Sequence, residues 1–134
     1  MVIVVNKTQI KECLTKWLIL LGQGHWQMEI WTNLPKEEMS SPNTVMGIDY
    51  DFGYLQGSLY VSELCPDEEK EEHIIHEVSH LVLSPLRQFI GRLVELVPGC
   101  EGIKTTLVDE ALLLEEQAVV NFSRALYGRE EKDG

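Results

Sequence analysis

The stretch His73-Ile74-Ile75-His76-Glu77-Val78-Ser79-His80-Leu81-Val82-Leu83 decides how this chain is to be read. At about 100° per residue around a helix, Ile74, Ile75, Val78, Leu81 and Val82 fall on one side. His76 and His80 fall together on nearly the opposite side, with Glu77 at their flank. The apolar side predicts a helix held against a core, and the other side is free to line a cleft. Two imidazoles one turn apart can reach a single tetrahedral Zn²⁺, and the glutamate between them is placed to take a proton from an attacking water. His73 shares that side but lies roughly 10 Å along the axis from His80, too far to share one ion. It reads as a surface or supporting residue.

Working outward, Pro66-Asp67 and the acids Glu68, Glu69, Glu71 and Glu72 favour the positive end of a helix dipole, and Pro85 should end this helix near Leu83. A second helical stretch is expected from Leu86 to about Val97, stopped by Pro98-Gly99, followed by a loop carrying Cys100 and Gly102. The last helix is expected from near Thr105 to Tyr127, with Gly128 as its stop and residues 129–134 as a frayed, charged tail. Upstream, residues 26–32 (WQMEIWT), 44–50 (TVMGIDY) and 57–63 (GSLYVSE) are rich in β-branched and aromatic residues and separated by Pro35, Pro42 and Gly53. They predict three strands. Ile10, Cys13, Leu14, Trp17, Leu18 and Leu21 recur at three- and four-residue steps, an amphipathic helix over 8–21 with Gly22 and Gly24 beyond it. The order implies one α+β domain over 1–134: an N-terminal helix, a small, mainly antiparallel three-stranded sheet, the motif helix and two further helices.

The 134 residues are enough for one core around one site. Lys+Arg 11 against Asp+Glu 22, a formal charge of -11, repels a phosphate backbone and argues against nucleic acid as a partner. The longest apolar run, Trp17 to Leu21, is far short of a membrane span, and Val2–Val5 lack the basic flank of a secretory signal. Cys13, Cys65 and Cys100 cannot all pair within the chain and lack zinc-knuckle or redox spacing, so a reduced, cytoplasmic setting is expected. The cysteines read as small apolar residues, not ligands.

A catalytic zinc site takes three protein ligands and leaves the fourth position to water. Glu95, Glu101, Asp109, Glu110, Glu115 and Glu116 are the downstream candidates. Around the last helix, Leu107, Val108, Ala111, Leu112, Ala118, Val119, Phe122, Ala125 and Leu126 make one broad apolar face, with Glu115 near its middle, Glu116 at its margin and Glu110 elsewhere. A carboxylate on a core-facing stripe costs several kcal/mol unless neutralised, and a divalent metal would neutralise it. Glu115 is the expected third ligand. An ion pair between Glu115 and an arginine, or a one-residue register change that brings in Glu116, stays open as an alternative.

HEVSHLVL (76–83) and EEQAVVNF (115–122) together resemble zincin metallopeptidases whose third ligand is a glutamate, the gluzincins. The second motif is similar to the E-x-x-A helix of small cytoplasmic zinc endopeptidases of the ImmA/IrrE kind, and to short phage and mobile-element proteins that pair HExxH with a later EEQ helix. Val119 stands where those proteins carry a polar residue, and the interval from His80 to Glu115 is longer and holds an added helix. The resemblance implies a zincin-like minimal domain with His76, His80 and Glu115 as zinc ligands, Glu77 as catalytic base, and a protein or peptide substrate. It further implies that 57–62 is the edge strand on which an extended substrate lies. Tyr54, Tyr60, His25 and Arg87 are the conceivable donors to a developing oxyanion. A metal-stabilised binding or regulatory protein without turnover is the competing expectation.

Overall fold

The computed structural model describes residues 6–99 and 101–133, with side chains described through residue 128. Its order is α1 (Lys7–Leu20), β1 (Gln27–Leu34), β2 (Met46–Asp51), β3 (Gln56–Ser62), α2 (Lys70–Val82), α3 (Ser84–Leu96) and α4 (Glu101–Asp133). The domain is α+β. The start of α1 is set by a capping box: the Asn6 side chain accepts from the Gln9 amide at 2.9 Å, and the Gln9 side chain accepts from the Asn6 amide at 3.0 Å. Gly22, at φ 72, turns the chain out of the helix in a conformation that other residues adopt only under strain.

The sheet order is β1-β3-β2. β3 pairs in parallel with β1 and antiparallel with β2, so the sheet is mixed and not mainly antiparallel. β3 therefore runs down the middle, and the expectation that 57–62 forms an edge fails. Leu59 and Val61 on this middle strand are both lost from solvent. The edges are β1 and β2. Alternation sends Ile30, Leu59 and Ile48 to one face in a single row, beside the row Met28, Gly57 and Tyr50.

Helices α1 and α2 cover that face. Ile10, Leu14 and Trp17 from α1 meet Ile74, Ile75, Val78 and Leu81 from α2, with Trp26, Ile30, Met46, Leu59 and Val61 below them, in one core. Gly57 is the tightest point of the sheet: a Cβ there would meet the Met28 sulfur at 2.8 Å and the Asp49 carbonyl oxygen at 2.9 Å. Met28 can swing away but the backbone oxygen cannot. Gly57→Ala is expected to destabilise the fold by about 1–3 kcal/mol, read from the urea midpoint at unchanged slope.

Only Leu83 separates α2 from α3. It caps the end of the first and the start of the second, with Pro85 in the opening turn of α3. The buried Ser84 hydroxyl donates to the Leu81 carbonyl at 2.7 Å and satisfies one acceptor at the joint. The last helix is longer than expected. It begins at Glu101 and passes through Gly128 to Asp133, so Gly128 does not stop it. Its C-terminal half lies across α2, with Val119 fully buried, and its N-terminal half packs on α3. There the broad apolar face expected to be core is exposed: Leu107, Val108 and Leu112 all lie open. Cys100 and Gly134 fall outside the described residues, as do the side chains of 129–133. No helix among the described residues is long and apolar enough to cross a membrane.

Candidate metal centre

α2 is held between two layers. Its apolar side is pressed on α1 and the sheet, which forces His76, Glu77 and His80 toward α4. The two imidazole rings stand 5.2 Å apart between centroids and tilt by 68°, both turned to the same carboxylate. Glu116 Oε1 lies 2.9 Å from His76 Nε2, and Glu116 Oε2 lies 3.2 Å from His80 Nε2. One ligand atom from each of the three residues lies within 4.8 Å of the others. A tetrahedral zinc with bonds of 2.0–2.1 Å sets its ligands about 3.3 Å apart, so small side-chain shifts would suffice.

The carboxylate chosen by helix position takes a different place. Glu115 is buried as expected, at 11% side-chain exposure against 51% for Glu116. Its Oε2, however, lies 2.9 Å from His80 Nδ1 and 3.8 Å from Arg87 Nη1. The charge compensation assigned to a metal is supplied by an imidazole N–H and a guanidinium. The residue that faces the two Nε2 atoms is Glu116. Of the two alternatives, the pairing of Glu115 with an arginine is present, and Glu116 faces the imidazoles without any change that exposes Glu115.

Both ring nitrogens of His80 face carboxylates, Nδ1 that of Glu115 at 2.9 Å and Nε2 that of Glu116 at 3.2 Å. With Nδ1–H donating to Glu115, Nε2 can turn its lone pair to a cation shared with Glu116. At His76, burial disfavours the imidazolium and lowers the pKa; Glu116 opposes that shift, while His80 and His73 add to it. Two imidazoles and one carboxylate around a common point are a donor set that zinc takes. The residues fit the ion.

Glu77 is buried beside this point. Burial first, and then the charge of Glu116, push its carboxyl up to about 8. A nearby dication would act in the opposite direction and favour the carboxylate. His73 stays outside the group, half-exposed and paired with Glu69 at 3.8 Å. Burial likewise pushes the Cys65 thiol up to about 11, as befits an inert apolar residue.

Among the oxyanion candidates, only Arg87 is near. Tyr54 sits on the exposed β2–β3 turn, Tyr60 on the sheet face away from the helices, and His25 beside Trp26 ahead of β1. Sequence reasoning missed Tyr50. It is the inward residue at the end of β2, in step with Met46 and Ile48, and that two-residue alternation was the available signal. Its hydroxyl is buried close to the Arg87 guanidinium. Burial raises its pKa, the nearby Arg87 guanidinium lowers it and Glu115 raises it, so all three groups share one neighbourhood.

Glu115 is thus placed to orient the His80 ring. Glu115→Gln keeps an acceptor but loses the charge, and is expected to weaken zinc binding about 10- to 100-fold, measured by competition with a chromophoric chelator. Comparison with models of known protein families, with curated proteins and with solved structures finds no match to this chain.

Proposed function

We propose that this chain is a zinc-dependent peptidase of the zincin type, with His76, His80 and Glu116 as metal ligands and Glu77 as general base. The observation that carries the reading is the Glu116 carboxylate set between two Nε2 atoms at 2.9 and 3.2 Å, with Glu77 buried next to them. Zinc bound there would supply Lewis acidity, bringing the pKa of a coordinated water toward 7 and polarising the scissile carbonyl. Glu77 takes the proton of the attacking water and passes it to the leaving amine. Glu115 keeps His80 in the tautomer that directs Nε2 inward. Arg87 and the Tyr50 hydroxyl are the neighbouring donors from which oxyanion stabilisation is to be sought.

The substrate proposed is a protein or peptide segment in extended form. Because β3 is central, the strand available for pairing is β2, an edge that packs against α2 and carries Tyr50 next to its last residue. Backbone pairing along β2 would bring a peptide past the imidazoles. The formal charge of -11 favours a basic segment, and the compartment proposed is the cytoplasm. The test is to load the purified protein with one equivalent of zinc and follow cleavage of a panel of unstructured, basic fluorogenic peptides, with and without chelator. Cleavage that tracks zinc content is expected. Tight stoichiometric zinc with no cleavage of any peptide would leave a metal-stabilised binding protein instead.

A further inference from the structure

α3 and the first half of α4 form a helical hairpin whose outer surface is unusually apolar. On α3, Leu86, Phe89, Leu93 and Leu96 are all exposed, Leu96 to 79%. Their spacing of three, four and three residues gathers them into one narrow stripe, the a/d pattern that seats against another helix. On α4, Ile103, Leu107 and Leu114 are also exposed and fall within about 40° of one another around the helix. Leu86 and Leu114 both line a groove of about 210 Å³ between the two helices, so the stripes converge there.

Two quantities identify what covers this surface. These seven side chains are between 41% and 79% exposed, an apolar patch beyond the few hundred Å² usual on a monomer and of the order that each partner buries in a stable dimer. Charge is the second. Residues 84–114 carry three basic groups (Arg87, Arg92, Lys104) and four acidic ones (Glu95, Glu101, Asp109, Glu110), a net of -1 within a chain of -11. A second copy meets less like-charge repulsion at this near-neutral face than over most of the acidic chain. A basic partner would be drawn to the acidic remainder instead.

We infer that the α3–α4 hairpin is a self-association surface, on which a second copy of this chain docks by a two-fold contact to complete a helical bundle. The inference does not depend on the peptidase reading. It bears on the same site, because Arg87 and Glu115 line the groove that the second copy would cover.

The experiment is sedimentation velocity on the full chain, metal-free and zinc-loaded, from about 1 to 100 µM. A dimer is expected in both forms, tightening as added salt screens the acidic surfaces. Leu93→Glu and Leu96→Glu alter exposed side chains, so circular dichroism should stay unchanged while the dissociation constant rises about 100-fold. Ile19→Glu, an equally exposed apolar position on α1, should leave it unchanged. A wild-type chain that stays monomeric throughout overturns the inference. So does a dimer that survives both α3 substitutions, or a monomer that pellets with anionic lipid vesicles through this face.

Discussion

Glu77→Gln is expected to reduce peptide cleavage by about 10²–10⁴-fold while zinc content stays at one equivalent. The two side chains have nearly the same shape, and Glu77 is buried within reach of the Glu116 charge, so the change removes a proton acceptor and little else. A glutamate with a purely structural role predicts equal cleavage by both forms. A second readout comes from stability. Burial and Glu116 raise the Glu77 carboxyl to about 8, so the metal-free fold binds this proton more tightly than the unfolded chain does. The stability this gives the folded chain is complete below the ordinary carboxylate pKa and is lost as pH rises toward 8. Glu77→Gln should abolish that decline, and urea midpoints at pH 5 and pH 8 would measure it. Retained cleavage by the variant would eliminate Glu77 as the base.

His80→Ala is expected to weaken zinc binding by a factor on the order of a thousand, enough to lose the stoichiometric ion on purification. His80 occupies two positions in the network: Nε2 faces Glu116 and Nδ1 donates to Glu115. Removing the ring deletes a ligand and also leaves the buried Glu115 carboxylate with Arg87 as its remaining charged partner, at 3.8 Å. Glu116→Ala should approach the same loss. Glu115→Ala should fall well short of it, because that carboxylate orients a ligand and does not supply one. Elemental analysis and chelator competition across the three variants give the order. Equal loss from Glu115→Ala and Glu116→Ala would return Glu115 to the ligand set.

The arrangement of α2 was legible in the chain because the apolar and imidazole positions differ by nearly half a turn, and burial acts on each side independently. The three strands were legible for a similar reason: β-branched alternation is a local property. Their order was not. Nothing local distinguishes a central strand from an edge, and pairing β3 between β1 and β2 is a choice made over the whole sheet. That Glu116, and not Glu115, faces the two Nε2 atoms has the same origin. Helix position correctly indicated which carboxylate is buried, but the compensation came from Arg87 on α3 and the Nδ1 of His80, groups that only the tertiary arrangement brings near. The expected core face of α4 is half-open at Val108 and Leu112 because, among the described residues, this part of the helix faces a groove shared with α3 and not the core beneath α2.

The single-residue joint at Leu83 restricts how this protein can vary. Each residue inserted there would rotate Arg87 by about 100° about the α3 axis and advance it by about 1.5 Å, carrying the guanidinium away from Glu115. The segment between β1 and β2 bears no such constraint, since its exposed turns at 36–44 touch neither histidine. Length changes should therefore accumulate in the β1–β2 connection and be absent at the joint. A duplicated or shuffled form of this domain could accept foreign sequence at the one and not at the other.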